Sequence, residues 1–416
     1  MTTSKLAVIG LGYVGLPLAV HFAEHGFEVI GKDKDGQKIA RLMKGETYIS
    51  DVTEQAIREA LKKGRLTPSL PNKNLLQSAD YIIVAVPTPI LNEQPDLSAV
   101  EEACQLIAEQ LREGQTIILE STTFPGTLEE VILPIMSRTG LTVGKDFFLG
   151  YSPERIDPGN TEYSLQRIPK VVSGQTAACL KKVTELYEVA FEQVVPVSSP
   201  RVAEMCKLFE NIQRLVNISL VNEIDQLCQQ LNINFRESLR AAATKPFGFT
   251  PYWPGPGVGG HCIPVDPMYF QWKAKKQGLS SQLIEQALQI NRVMPQVVVD
   301  RVNEELGSVD KTEAQILLIG LTYKKDVNDL RESPALDILK LLLMHGYKVK
   351  YSDPHVPVVD MNQEQLTSCP LSANLLRAMD VIVILTDHSA IDWKMIKEHG
   401  QRIIDMRGVY DNHEER

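Results

Sequence analysis

Lys5-Leu6-Ala7-Val8-Ile9-Gly10-Leu11-Gly12-Tyr13-Val14-Gly15 decides the fold. An apolar run ending in glycine reads as a strand buried on both faces of a parallel sheet. A helical stretch follows from about Val14 to Glu24, with Gly26 just past its end as a cap. The glycines between strand and helix form GxGxxG. Gly10 allows a tight turn, Gly12 lets a pyrophosphate approach the backbone, and Gly15 permits close helix–strand packing. The amides that open the helix, around Tyr13 and Val14, would meet the phosphates. The next strand, FEVIGKD, ends at Asp33, 23 residues after Gly10. There a carboxylate accepts hydrogen bonds from the adenosine ribose hydroxyls and repels a 2′-phosphate, so NAD is expected rather than NADP. Lys32 softens that preference. Lys38 reads equally as a contact to the adenosine end or as a solvated helix lysine.

Outward from this unit, strands are expected at 81–87, 116–122 and 145–153, with helical segments such as 97–114 between them. The alternation predicts a doubly wound α/β domain up to about residue 195. From Pro200 to Leu231 the pattern changes. Val202, Met205, Leu208, Ile212, Leu215, Ile224 and Leu231 recur at helical spacing without an intervening Gly or Pro. A helix of ~30 residues is ~45 Å long, and it reads as a spine joining two domains, shared across a dimer. Residues 245–267 have a loop composition. Near 315 a second α/β pattern starts: QILLIGLTYKKD echoes KLAVIGLGYVGL, with Lys324-Lys325-Asp326 where the first turn has glycines. The two turns are therefore expected to bind different ligands. Further strands are expected at 347–354, 380–388 and 402–408. The fold class is α/β: two Rossmann-like doubly wound domains joined by a long central helix. The expected divisions are 1–195 for the NAD-binding domain, 196–305 for the helical region that carries the shared spine and the loop after it, and 306–416 for the second Rossmann-like domain with its different ligand.

Composition narrows the function. The chain has 416 residues, 43 Lys+Arg and 52 Asp+Glu, a net charge of −9 that argues against a nucleic-acid partner. No run approaches the ~20 apolar residues of a membrane span. The strand pattern starts too early for a secretory signal. Six cysteines, at 104, 179, 206, 228, 262 and 369, form no CxxC pair, so no metal site or disulfide scaffold is expected. A reduced, cytoplasmic enzyme is the resulting expectation.

Pro254-Gly255-Pro256-Gly257-Val258-Gly259-Gly260-His261-Cys262-Ile263-Pro264-Val265-Asp266-Pro267 is the most unusual stretch. Glycines and prolines fix a backbone around one cysteine. Asp266-Pro267 resembles an N-cap and first helical position. Cys262 would then precede a helix whose amides stabilise a thiolate, the form that attacks carbonyls. The other five cysteines read as small buried hydrophobes. His261 reads either as a general base or as a packed neighbour. Lys207, Asn211 and Arg214 stand at i, i+4 and i+7 and share one helix face, either a solvated stripe or a set of donors to an anionic or hydroxylated ligand. Glu154 and Arg155 follow a strand at the carboxyl edge of the first sheet, where ligands bind in such folds.

Together these segments resemble the UDP-glucose/GDP-mannose dehydrogenase family. The resemblance rests on GLGYVGLPLA (10–19), VPTP (86–89), ESTTFPGT (120–127), SPERIDPG (152–159), KLFEN (207–211), PGPGVGGHCIPVDP (254–267) and GLTYKKDVNDLRESP (320–334). Within the family, the loop around Cys262 is most similar to that of enzymes acting on UDP-N-acetylglucosamine. The resemblance implies oxidation of C6 of the sugar from alcohol to carboxylate with two NAD. It implies Cys262 as nucleophile, Asp266 as its partner carboxylate, Lys207 and Asn211 as catalytic, Glu154 in thioester hydrolysis and Thr122 beside the water and nicotinamide. Arg155, Ile156, Arg214, Gly259 and Lys324 are implied substrate contacts. Thr88 and Arg331 are implied NAD contacts, Arg331 from the second domain. UDP-glucose members carry a second acid four positions after the Glu154 equivalent. Pro158 stands there instead, which favours an N-acetylated sugar. UDP-glucose, UDP-N-acetylmannosamine and UDP-N-acetylgalactosamine stay open as substrates. A two-electron hydroxyacid dehydrogenase and a non-catalytic nucleotide-sugar-binding regulator are the rival classes.

Overall fold

The computed structural model describes residues 4–49, 51–71, 73–156, 164–260, 262–361 and 364–411. His261, Pro158 and the last residues of the chain lie outside this set. The chain packs as two compact units, residues 1–210 with 268–279, and 211–267 with 280–416.

The first unit is built on strands β1 (Lys5–Ile9), β2 (Glu28–Lys32), β3 (Leu66–Ser69), β4 (Tyr81–Val84), β7 (Thr116–Leu119), β8 (Phe148–Tyr151), β9 (Lys170–Gly174) and β10 (Val194–Pro196). Two further short strands, β5 (Ile90–Leu91) and β6 (Gln94–Pro95), pair as a separate hairpin. The eight strands run in the order β10-β9-β8-β7-β4-β1-β2-β3. All neighbours are parallel except β8 and β9. β1 has β2 on one side and β4 on the other, so the order reverses at β1. A doubly wound sheet binds ligands at that crevice, and the Gly10–Gly15 turn leaves β1 there. Leu6, Val8, Leu16, Phe22, Val29, Ile83 and Ile118 belong to one buried cluster under the sheet.

The strands expected at 81–87, 116–122 and 145–153 are real but shorter. Strands β3, β9 and β10 escaped the reading of the sequence. Each is three to five residues long, too short to show a period.

The second unit holds β11 (Gln315–Ile319), β12 (Lys348–Ser352), β15 (Val381–Ile384) and β16 (Ile403–Asp405), all parallel, in the order β12-β11-β15-β16. A hairpin, β13 (Val358–Met361) with β14 (Glu364–Thr367), stands apart from this sheet. Successive side chains of a strand point to opposite faces. Accordingly Ile316 and Leu318 enter one buried cluster while Leu317 and Ile319 enter another. Both faces of the sheet are covered, as a doubly wound fold requires.

The spine is a single helix, Pro200–Gln230. Leu208, Ile212 and Leu215 are buried on it as expected. Val202 and Leu231, of the same apolar spacing, are exposed and lie with Phe209, Leu220 and Leu227. At ~100° per residue these five fall on one apolar stripe along the helix.

Candidate active site

In the first unit the glycine turn is held by contacts no side chain could share. Gly10 has φ +94°, and a Cβ there would lie 2.4 Å from the Ala85 carbonyl oxygen. A Cβ on Gly15 would lie 1.8 Å from the Gly10 oxygen. Gly12 is different: a Cβ there would meet no protein atom within 4 Å. The protein itself does not need a glycine at 12, but close approach of a pyrophosphate does. The helix opens at Gly15 directly after Tyr13 and Val14. Asp33 is buried at the end of β2; its Oδ2 accepts the Leu11 amide at 2.9 Å and its Oδ1 the Asp35 amide at 2.9 Å. Lys38 Nζ lies 3.4 Å from Asp33 Oδ2. The residues present therefore fit a dinucleotide. Lys32, weighed above as a possible attraction for a 2′-phosphate, is fully buried, and burial lowers its pKa.

The VPTP and ESTT segments meet at the carboxyl end of the sheet. Thr88 Oγ1 donates to the Thr122 carbonyl at 2.7 Å, and Ser121 Oγ to that of Val86 at 2.8 Å. Tyr269 hydroxyl donates to the Thr88 carbonyl. Glu204 of the spine accepts the amides of Gly126 at 2.6 Å and Leu128 at 3.1 Å, anchoring the end of ESTTFPGT. Burial pushes the Glu204 carboxyl up to about 7 against those two hydrogen bonds.

Glu154 is buried beside this edge. Its Oε1 accepts the amides of Arg155 and Ile156 at 2.6 and 2.8 Å, and its Oε2 accepts Lys170 Nζ at 3.2 Å. Arg155 pairs with Glu210 at 2.6 Å. Lys207 is buried, whereas Arg214, on the same face by spacing, is exposed.

In the second unit Cys262 is exposed and forms no disulfide. Its carbonyl accepts the Asp266 amide at 2.8 Å, so the cysteine leads directly into the helix Asp266–Lys276. Asp266 belongs to that helix, and its buried carboxylate accepts a hydrogen bond from Asn211 Nδ2 of the spine. The expected cap thus has a side-chain partner from another element. The glycine loop before Cys262 is stapled along its length. Arg236 donates to the Pro254 carbonyl at 2.9 Å, and Asn222 accepts the Gly255 amide at 2.9 Å. Asn291 bonds both the amide and the carbonyl of Val258, at 2.7 and 3.0 Å. The Gly260 amide reaches the Arg331 carbonyl at 3.0 Å. A Cβ on Gly259 would lie 2.4 Å from the Glu332 oxygen, and one on Gly260 would lie 2.7 Å from the Tyr323 ring. Asn222, Arg236 and Asn291 were missed from sequence. Their signal was only a polar residue amid helical apolar spacing.

Lys324 is half-buried in the turn after β11, and its carbonyl accepts Thr322 Oγ1 at 2.9 Å. Arg331 is held in a bidentate pair by Asp329, Nη2 to Oδ2 at 2.6 Å. Among the described residues, Asp326, His355 and His388 bring ligand-type atoms within 4.8 Å of one another. His388 Nδ1 already lies 3.0 Å from the Asp326 amide, and its Nε2 3.2 Å from Asp353 Oδ2. With the proton on Nε2, this imidazole braces the Lys324–Asp326 turn.

Family models match along the chain: the NAD binding domain of the UDP-glucose/GDP-mannose dehydrogenase family at residues 4–191, its central domain at 201–293 and its UDP binding domain at 317–412. The chain belongs to the UDP-glucose/GDP-mannose dehydrogenase family. A UDP-N-acetyl-D-glucosamine 6-dehydrogenase of Pseudomonas aeruginosa is 38% identical over 395 residues, 94% of this chain and 92% of that protein. A UDP-N-acetyl-D-mannosamine dehydrogenase of Escherichia coli K12 is 34% identical over 99% of this chain and 100% of its own. The solved UDP-D-ManNAc dehydrogenase of Pyrococcus horikoshii superposes with a TM-score of 0.88 at 32% identity, covering 97% of this chain and 95% of its own. As a member of this family the chain is an NAD-dependent nucleotide-sugar dehydrogenase, an oxidoreductase. Among the described residues no helix is long and apolar enough to cross a membrane.

Proposed function

We propose that the chain oxidises the C6 hydroxyl of a UDP-N-acetylhexosamine, UDP-N-acetylglucosamine first among them, to the uronic acid in four electrons. The observation that carries this reading is the exposed Cys262, outside any disulfide, at the entry to a helix, in a loop stapled at four points, beside the Asp266–Asn211 pair. The rival two-electron hydroxyacid dehydrogenase gives no reason for such a loop around a cysteine. NAD supplies the hydride acceptor for both oxidations. Gly10, Gly12 and Gly15, with the helix start at Tyr13 and Val14, hold its pyrophosphate. Asp33 with Lys38, Thr88 and Thr122, and Arg331 are its other contacts.

Lys207, or water held by Asp266, takes the C6 hydroxyl proton. The Cys262 sulfur then bonds to the aldehyde carbon, giving a thiohemiacetal, and oxidation of that adduct leaves a thioester. Lys207 and the Asn211 amide stabilise the oxyanion that develops at C6. Water attacks the acyl carbon, its proton goes to Glu154, and the C–S bond breaks with the electron pair on sulfur. Arg155, Ile156, Arg214, Gly259 and Lys324 hold the substrate. Covalent capture keeps the aldehyde from escaping between the two oxidations.

UDP-N-acetylmannosamine is the second reading, favoured by the full-length match to the Escherichia coli enzyme. We further assign the 1–195, 196–305 and 306–416 division, a cytoplasmic location, and a homodimer or higher homo-oligomer formed through the apolar stripe of the spine. A panel of UDP-sugars followed by NADH absorbance tests the assignment. Two NADH per UDP-N-acetylglucosamine supports it, and one NADH per sugar refutes the double oxidation.

A further inference from the structure

Lys170 is one of the most buried cations of the chain, its side chain 3% exposed. No motif that identified the family draws attention to it. It stands on β9, between two carboxylates that are themselves buried. Its ammonium has three protons and three oxygen partners: Glu120 Oε2 at 2.7 Å, Glu154 Oε2 at 3.2 Å and the Pro153 carbonyl at 3.4 Å. The rings of Tyr187 and Phe191 lie 5.4 and 5.5 Å from the same nitrogen. Tyr187 hydroxyl donates to the other oxygen of Glu120. Glu154 is thus fixed from both ends, by two backbone amides on Oε1 and by the ammonium on Oε2.

Burying three charges is expensive, and a Lys–Glu pair would already be neutral. Structural economy does not account for the second carboxylate. Burial pushes Glu120 up to about 7 although Lys170 opposes the shift. Burial alone would depress the Lys170 ammonium, but Glu120 and Glu154 more than offset this and raise it. The cation therefore persists across the neutral range while Glu120 absorbs the surplus charge.

We propose that Lys170 is a positioning residue for the hydrolytic step, holding the Glu154 carboxylate aimed to take the proton of the attacking water. The proposal rests on the thioester reading above. Glu120 and Tyr187 hold the ammonium from the far side, so that it cannot rotate away from Glu154. The other titratable groups around Glu154 are accounted for. Arg155 is engaged by Glu210 and the Pro169 carbonyl. His21 sits 2.6 Å from the Ala190 carbonyl, and burial lowers it to about 4, so it stays neutral.

The test follows decay of the acyl adduct on Cys262 by acid quench and mass spectrometry after a single turnover, across pH 5.5–9 (roughly the span in which both Glu120 and a displaced carboxylate would titrate). A positioned general base contributes ~10²–10⁴-fold. Lys170→Met should therefore slow adduct decay at least tenfold, with the adduct still forming, and move the acid limb of the decay to higher pH. Glu120→Gln leaves Lys170 facing Glu154 alone and should move that limb to lower pH. Opposite shifts are the signature of charge positioning, because a merely structural role moves neither limb. The double variant Lys170→Met/Glu120→Gln removes both buried charges, folds without an unpaired carboxylate at 120, and should still decay slowly. If Lys170→Met or the double variant loses its adduct at the wild-type rate with an unmoved limb, the proposal is wrong and the thioester reading survives. If the wild type itself never carries an adduct while making acid, both fall together.

Discussion

Gly12→Ala separates what the fold needs from what the cofactor needs. A methyl at 12 meets no protein atom within 4 Å, and the backbone there is not left-handed. Gly→Ala at such a position limits the unfolded chain and stabilises by ~0.4–1 kcal/mol. The fold should therefore be unharmed or slightly more stable. The same change at Gly15 places a carbon 1.8 Å from the Gly10 oxygen, an overlap the strand–helix junction cannot absorb without moving, at a cost of ~1–3 kcal/mol or more. NAD binding should report the reverse order of interest. The methyl added at position 12 occupies the space through which a pyrophosphate reaches the backbone amides. Losing one or two charge-assisted hydrogen bonds at ~1.5–3 kcal/mol each weakens affinity at least tenfold. Urea unfolding measures the first quantity and calorimetric titration with NAD the second. Thermal shifts should agree, because a ligand bound only by the folded state stabilises it by an amount set by its concentration over Kd. Wild-type NAD affinity in Gly12→Ala would refute the cradle, and marked instability of that variant would refute the claim that the protein leaves this position open.

Gly260→Ala places a methyl 2.7 Å from the Tyr323 ring at φ +82°, and should cost ~2–4 kcal/mol from backbone strain and overpacking together. In a double-mutant cycle with Tyr323→Ala the steric part, ~1–3 kcal/mol, should be recovered; additive effects would show that the loop does not press on that ring. Glu204 has a folded pKa of about 7 against 4.5 in the unfolded chain. Raised in the folded state, it contributes stability that is complete below pH ~4.5 and lost as pH rises through about 7. Glu204→Gln should flatten this decline in urea titrations between pH 4.5 and 7.5, and an unchanged slope would dismiss Glu204 as its source. Leu227→Glu puts a charge on the exposed stripe of the spine and should halve the mass seen by light scattering while leaving the circular dichroism intact; a dimer that persists would move the interface elsewhere.

The glycine turn, Asp33 and the Cys262 loop were legible because their roles are local: a few consecutive residues fix a turn, a strand end or a helix entry. The Asp266–Asn211 pair was half legible, each residue singled out but not their contact, since 55 positions separate them. Lys170 was not legible at all. Its partners Glu120 and Glu154 lie 50 and 16 residues away and join it only through the sheet order. The spine was legible only in part. Val202 and Leu231 share its apolar spacing with buried Leu208, Ile212 and Leu215 yet face outward, because hydrophobic spacing reports that a face is apolar without naming what covers it. Lys32 misled in the other direction, a charged residue at a strand end that the fold buries completely.

The most direct measurement is the intact mass of the acid-quenched enzyme after mixing with UDP-N-acetylglucosamine and NAD, followed by peptide mapping, in the wild type and in Cys262→Ala. The account predicts a transient sugar adduct on the Cys262 peptide of the wild type, and no adduct and no uronic acid from Cys262→Ala. Uronic acid produced by Cys262→Ala at the wild-type rate would contradict it.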